Sequence, residues 1–351
     1  MQAPVTHILP ITTIRRERLL PVPGKVVVRK GQKVSATDVV AEAKVAPEQM
    51  LLDIARGLGL PPREADEYLQ CQAGTTVAEG DVLAGPVGIT KRVVRAPKNG
   101  RVIVAGEGQI LLELESPPYE LKAGAPGMVV DLIGEQGVII ETGGALIQGV
   151  WGNGKIDFGL MLSLARSPDD MLKADRLDVS FRGSVILAGC CNDPLVIKTG
   201  GELPLRGMIL GSIDPQLLRM AAKARFPILV LDGVGQRGIS STAYKLLTTN
   251  EKREVTVNAE PWDRFTGKRP ELIIPLPASA DAPILREITE FALGQKVMIV
   301  RAPFTGLIGT LTNLPPGFSV LPNGVKTQVA EIDLEGGDNV VVPLANLEVL
   351  V

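Results

Sequence analysis

Histidine is nearly missing from this chain: His7 is the only one in 351 residues. A lone imidazole removes most catalytic triads and dyads and every His-rich metal cluster. Cysteine is scarce as well. Cys71, Cys190 and Cys191 are too few for a disulfide framework and lack zinc-site spacing, so a reducing cytoplasm is the simplest setting. Aromatic residues make up 3%, which leaves few rings for stacking bases or sugars. Charge of one sign is not in excess: 37 basic against 39 acidic side chains give a net charge of −2 and no general pull toward nucleic acid or an anionic membrane. No apolar run approaches the ~20 residues that span a bilayer, and the segment 1–7 lacks the charged start and apolar stretch of a signal peptide. No catalytic set is complete, and no cofactor, metal, membrane or DNA is expected.

What is abundant is turn chemistry. The 38 glycines and 27 prolines are spread along the chain, not pooled, and so mark tight turns between short strands. The length allows two or three domains. Residues 21–45 alternate apolar runs with glycine turns. Over 47–71 the apolar residues Leu51, Leu52, Ile54, Ala55, Leu58, Ala65, Tyr68 and Leu69 recur at helical spacing on either side of Gly59-Leu60-Pro61-Pro62, which predicts two short helices. Strand grammar resumes at Thr75 and runs to Leu114. Within this stretch Pro23-Gly24-Lys25-Val26, Lys30-Gly31-Gln32-Lys33-Val34, Glu79-Gly80-Asp81-Val82 and Ala96-Pro97-Lys98-Asn99-Gly100 resemble a barrel-sandwich hybrid. This is the biotinyl/lipoyl-like hammerhead, found also in the Rnf electron-transport complex. The resemblance implies a β domain over 1–120 with a helical insertion at about 47–71. Carrier members modify a lysine at a hairpin tip. Lys44 is the local match, but the carrier pattern is one residue short and the insertion takes the place of the tip, so a structural lysine is preferred.

Residues 121–176 form a glycine-rich β segment, with Asn153-Gly154 a strong hairpin signal. No Gly-Lys-Ser/Thr ending follows, so turns are preferred to a phosphate loop. Residues 177–274 change character. Val185–Gly189, Gly207–Gly211 and Ile228–Leu231 are continuously apolar and alternate with helical patterns opened by Asp193-Pro194, Ser212-Ile213-Asp214-Pro215 and Ser240. That pattern predicts a small parallel α/β module, in which the helix behind Ser212 and Asp214 runs to about Ala224. Ligands of such modules lie at the carboxyl ends of the strands. Cys190, Asn192, Ser212, Asp232 and Arg237 fall there and are the candidates for a small anionic ligand. Helix capping and turn formation explain the same residues separately.

A Pro- and Ala-rich linker covers 275–289. Beyond it, Gln295-Lys296-Val297-Met298-Ile299-Val300-Arg301-Ala302-Pro303-Phe304-Thr305-Gly306-Leu307-Ile308-Gly309 resembles a KOW motif. The segments at 325–334 and 340–348 fit the remaining strands of its SH3-like barrel. The family, found in ribosomal proteins and transcription elongation factors, binds RNA or protein. The resemblance implies a barrel over 290–351 with Arg301, Phe304, Thr305 and Gly306 as loop contacts. Between 291 and 351 the basic residues are Lys296, Arg301 and Lys326, against Glu331, Asp333, Glu335, Asp338 and Glu348. A phosphate-gripping surface is basic, so this balance disfavours RNA and favours a protein partner.

The sequence therefore implies a β-rich α+β protein with a hammerhead-like β domain, a small parallel α/β module and a C-terminal SH3-like (KOW) barrel. Three functions fit it. The leading one is a non-catalytic interaction or scaffold protein. The others are a small-molecule sensor or enzyme using the α/β module, and a ribosome- or transcription-associated factor acting through the KOW loop.

Overall fold

A computed structural model describes residues 2–45, 47–115, 117–263, 268–277 and 288–350. The protein is β-rich, and its contacts divide the chain into two compact units. One comprises residues 20–27 and 41–121. The other comprises 1–19, 28–40 and 122–351. The hammerhead-like stretch expected over 1–120 is thus shared between the two. Among the described residues no helix is long and apolar enough to cross a membrane.

In the smaller unit a four-stranded sheet runs Gln49–Asp53, Gln109–Leu114, Gly100–Gly106, Thr76–Val77. Its core gathers Ile54, Leu58, Leu83, Val102, Ile110 and Leu112. The helical pattern expected from 47 begins only at Ile54, because Gln49–Asp53 pairs along its length with residues 109–113. Two short helices do follow, Ile54–Leu58 and Pro62–Asp66. Asp53 caps the first by accepting from Arg56 N, and Gly59 ends it in the left-handed conformation. Lys44 is exposed just past the strand Val39–Ala43.

The larger unit is built on a 12-stranded sheet. Ser184–Cys191, Gly207–Ile213 and Ile228–Val234 lie parallel and adjacent, as their apolar runs predict. Every residue of the first two is buried, since both faces are covered. Ile186, Ala188, Met208 and Leu210 face a core packed under the helices Pro194–Glu202 and Leu218–Ala222. Val185, Leu187, Ile209 and Leu229 face the opposite core, with Ala243 and Leu247 of the helix Ser241–Thr249. Asp193 caps its helix as expected. Asp214 caps a 3-10 turn, Pro215–Leu217, that leads into an α-helix ending at Ala222. Ser212 does not join it, because the strand continues through Ile213.

The same sheet continues through Ile156–Ser163, Glu254–Asn258 and Glu271–Pro275 to the long strand Gly137–Gln148, which pairs along its length with Ile8–Leu19. A separate seven-stranded sheet holds the C-terminal segment. Lys296–Ile299 sits between Leu347–Leu350 and Ile308–Asn313, followed by Val329–Leu334 and Asn339–Pro343. The strand Gln2–Thr6 completes it, parallel to Leu347–Leu350 and antiparallel to Ile288–Glu290. Residues 278–287 of the expected linker lie outside the described residues.

Candidate functional site

The carboxyl ends of the three parallel strands meet the loop 233–240. Ser212 Oγ accepts a hydrogen bond from Arg237 N at 2.9 Å, and the Cys190 thiol donates to Arg237 O at 3.0 Å. Asp232 Oδ2 accepts from Ser240 N at 3.0 Å. Four of the five anion-site candidates are therefore joined through one loop. Asn192 is exposed and makes none of these bonds. Burial pushes the Asp232 carboxyl up to about 6, while the Ser240 hydrogen bonds and the Arg237 charge act in the opposite direction. Burial likewise pushes the Cys191 thiol up to about 11. These side chains brace the loop, and their polar atoms face its backbone.

The loop 300–307 follows the strand Lys296–Ile299 and arrives beside Arg237. Gly306 has φ +83°, and a β-carbon there would lie 3.3 Å from Arg237 Nη1. Arg301 is exposed, whereas Phe304 is half-buried against the core of Val297, Ile299 and Leu311. Much of the apolar exposure lies elsewhere in this segment. The small hairpin of Ser319–Val320 and Lys326–Thr327 leaves Phe318 66%, Val320 71% and Val325 51% exposed.

A second constellation went unseen in the sequence. On the strand Ile8–Leu19 the buried residues Thr12 and Ile14 share a face with Arg16 and Arg18, two and four residues on from Ile14. Both arginines grip carboxylates in fork geometry. Arg16 Nε reaches Glu271 Oε1 at 3.0 Å and its Nη2 reaches Oε2 at 2.6 Å. Arg18 Nη1 and Nη2 reach the two oxygens of Glu260 at 2.5 and 2.6 Å, and its Nε donates to Lys122 O at 3.0 Å. Burial alone would raise the Glu260 carboxyl, but Arg18, with Asn258 and the Lys268 charge, outweighs it and holds the group below the usual carboxylate range. These pairs form part of the wall of a cavity of about 480 Å³, whose lining also includes Gln148, Asn258, Lys268 and Arg269. Arg269, 7% exposed, donates from Nη2 to Glu348 Oε1 at 3.1 Å, and its guanidinium stacks 4.5 Å from the Trp262 ring centre. Glu348 also accepts from Thr6 Oγ1 at 2.7 Å. The sequence signal was present but faint: arginines at inward positions of a two-residue period.

No known family model matches the chain, and no curated protein matches it.

Proposed function

We propose that this chain is a non-catalytic interaction protein, with a hammerhead-like unit and a KOW-like C-terminal barrel, that engages a protein partner through the hairpin at 318–327. The observation that carries this reading is the exposure of Phe318, Val320 and Val325 on one two-stranded hairpin. Large apolar side chains grouped on a surface cost hydration free energy that a partner's surface removes. The acidic balance of residues 291–351 supports a protein over RNA as that partner. The alternative of a ligand site at the sheet edge has less support, because Cys190, Ser212 and Asp232 are engaged in holding the loop 233–240.

The test places a photo-crosslinking residue at position 318 of the intact protein in its own cells and identifies what is captured. The captured protein, purified, should then bind the intact chain, and Phe318→Ser with Val320→Ser should weaken that binding at least about tenfold. Binding that is unchanged by the double substitution, or capture only of RNA released by raised salt, overturns the reading.

A further inference from the structure

We propose that the arginine-lined cavity of the larger unit binds a small oxyanion-bearing molecule, a phosphomonoester or a carboxylate, separately from the partner surface described above. Four observations carry it. The first is charge: Arg15, Arg16, Arg18, Lys268 and Arg269 line the cavity against Glu17, Glu260 and Glu271, so basic side chains outnumber acidic ones in its wall. Arg16 and Arg18 are held in the two forked pairs, Arg15 pairs with Glu141 and Arg269 with Glu348, which leaves Lys268 as the basic side chain of the wall outside an ion pair among the described residues.

The second is an unmet donor. Arg269 Nη1 is fully buried and has no hydrogen-bond partner among the described residues. A buried donor without an acceptor costs the desolvation free energy of that group, more so when it is charged. Nη1 has no solvent-facing surface, so an oxyanion removes that cost and gains a charge-assisted hydrogen bond by drawing the guanidinium toward the cavity.

The third is neutral polarity. Gln148 and Asn258, both at least nine-tenths buried, also line the cavity. Asn258 bonds Glu260 through both amide atoms and Gln148 Oε1 accepts from His7 N, so the Gln148 amide nitrogen is the donor that suits the uncharged part of a ligand. The fourth is room. Gly124 has φ +76°, and a β-carbon there would lie 3.1 Å from both Arg18 Cζ and Asn258 Nδ2. The backbone passes close against these two residues of the wall, and a β-carbon there would press on them. A volume of about 480 Å³ falls in the range of small-molecule sites.

Trp262 provides the readout, since its ring stacks on the Arg269 guanidinium. In the 351-residue chain carrying Trp151→Phe it is the sole tryptophan emitter. Inorganic phosphate and succinate are titrated separately, with sodium chloride at matched ionic strength as the control. A saturable change in emission with either anion, absent with chloride, is expected. Phosphate alone assigns a phosphomonoester, and succinate alone a carboxylate. The apparent affinity should fall at least about tenfold in Lys268→Gln and in Arg269→Lys. Lys268 is exposed, so its substitution leaves the fold intact even where Arg269→Lys does not. Responses to both anions that only track ionic strength would show the cavity to be an ion-paired wall and sink the proposal. Saturable binding untouched by Lys268→Gln, and by Arg269→Lys where that variant folds, would place the anion elsewhere and sink it equally.

Discussion

Arg237 Nη1 lies 3.3 Å from where a β-carbon on Gly306 would sit, so the loop 300–307 and the α/β module meet at a position that only glycine fills without adjustment. Two effects oppose a side chain there. The backbone is left-handed at φ +83°, which costs an L-residue about 1–2 kcal/mol. The guanidinium must also give way. Gly306→Ala should therefore lower unfolding free energy by about 1–2 kcal/mol in urea titrations. Arg237→Ala should recover only the contact share, because the backbone share does not depend on Arg237. A neutral Gly306→Ala would mean that the turn is not held in this conformation in solution.

Asp232 makes stability depend on pH. Its carboxyl is enclosed, although the residue keeps some solvent contact, and burial raises it to about 6 from an ordinary value of 3.8. Between those values the folded protein holds a proton that the unfolded chain has lost, so this group's contribution to stability falls as pH rises through the window. Above about pH 6 the full penalty applies, roughly 3 kcal/mol. Asp232→Asn retains an acceptor for Ser240 N without the charge. It should be more stable than the parent at pH 7, and the difference should vanish near pH 4. Parallel melting curves for the two proteins across this range measure it. A constant difference would contradict the assignment.

The α/β module was legible because each of its strands is a continuous apolar run and two of its helices open on Asp-Pro. Ser212 was misplaced at a helix start because its hydroxyl resembles a cap. In the fold that hydroxyl accepts from Arg237 N, a bond made across 25 residues. Residues 49–53 read as helix because Leu51, Leu52 and Ile54 fit both periods, and only pairing with residues 109–113 decides for strand. The arginine-lined cavity was illegible for a plainer reason. Arg16 and Arg18 find their carboxylates 255 and 242 residues away. Nothing local announces, either, that Gln2–Thr6 will pair with Leu347–Leu350.

The thiols should be inert in the native protein. Cys71, Cys190 and Cys191 are all buried, and burial raises both Cys71 and Cys191, the latter to about 11. The thiolate is the reactive form, so an aromatic disulfide reagent at pH 8 should release little chromophore from folded protein. Denaturant should then expose three equivalents. Rapid reaction of Cys190 or Cys191 in the native state would reopen a redox role for the vicinal pair.

Two phenylalanines of the C-terminal segment should separate stability from binding. Phe304 is half-buried and packs on the core of Val297, Ile299 and Leu311, whereas Phe318 stands 66% exposed on its hairpin. Truncating a fully buried phenylalanine costs about 3–5 kcal/mol, so Phe304→Ala should cost roughly 2 kcal/mol, in proportion to its partial burial. Phe318→Ser removes little packing and should change stability by about 0.5 kcal/mol or less. The effects should reverse when binding of a crosslinked partner is measured: Phe304→Ala retains it at temperatures where the variant is folded, and Phe318→Ser weakens it. Equal loss of binding in both variants, with Phe304→Ala fully folded, would move the contact surface from the hairpin to the loop 300–307. Destabilisation by Phe318→Ser comparable to that of Phe304→Ala would show that the hairpin ring is covered within the chain, and the case for a partner there would fail.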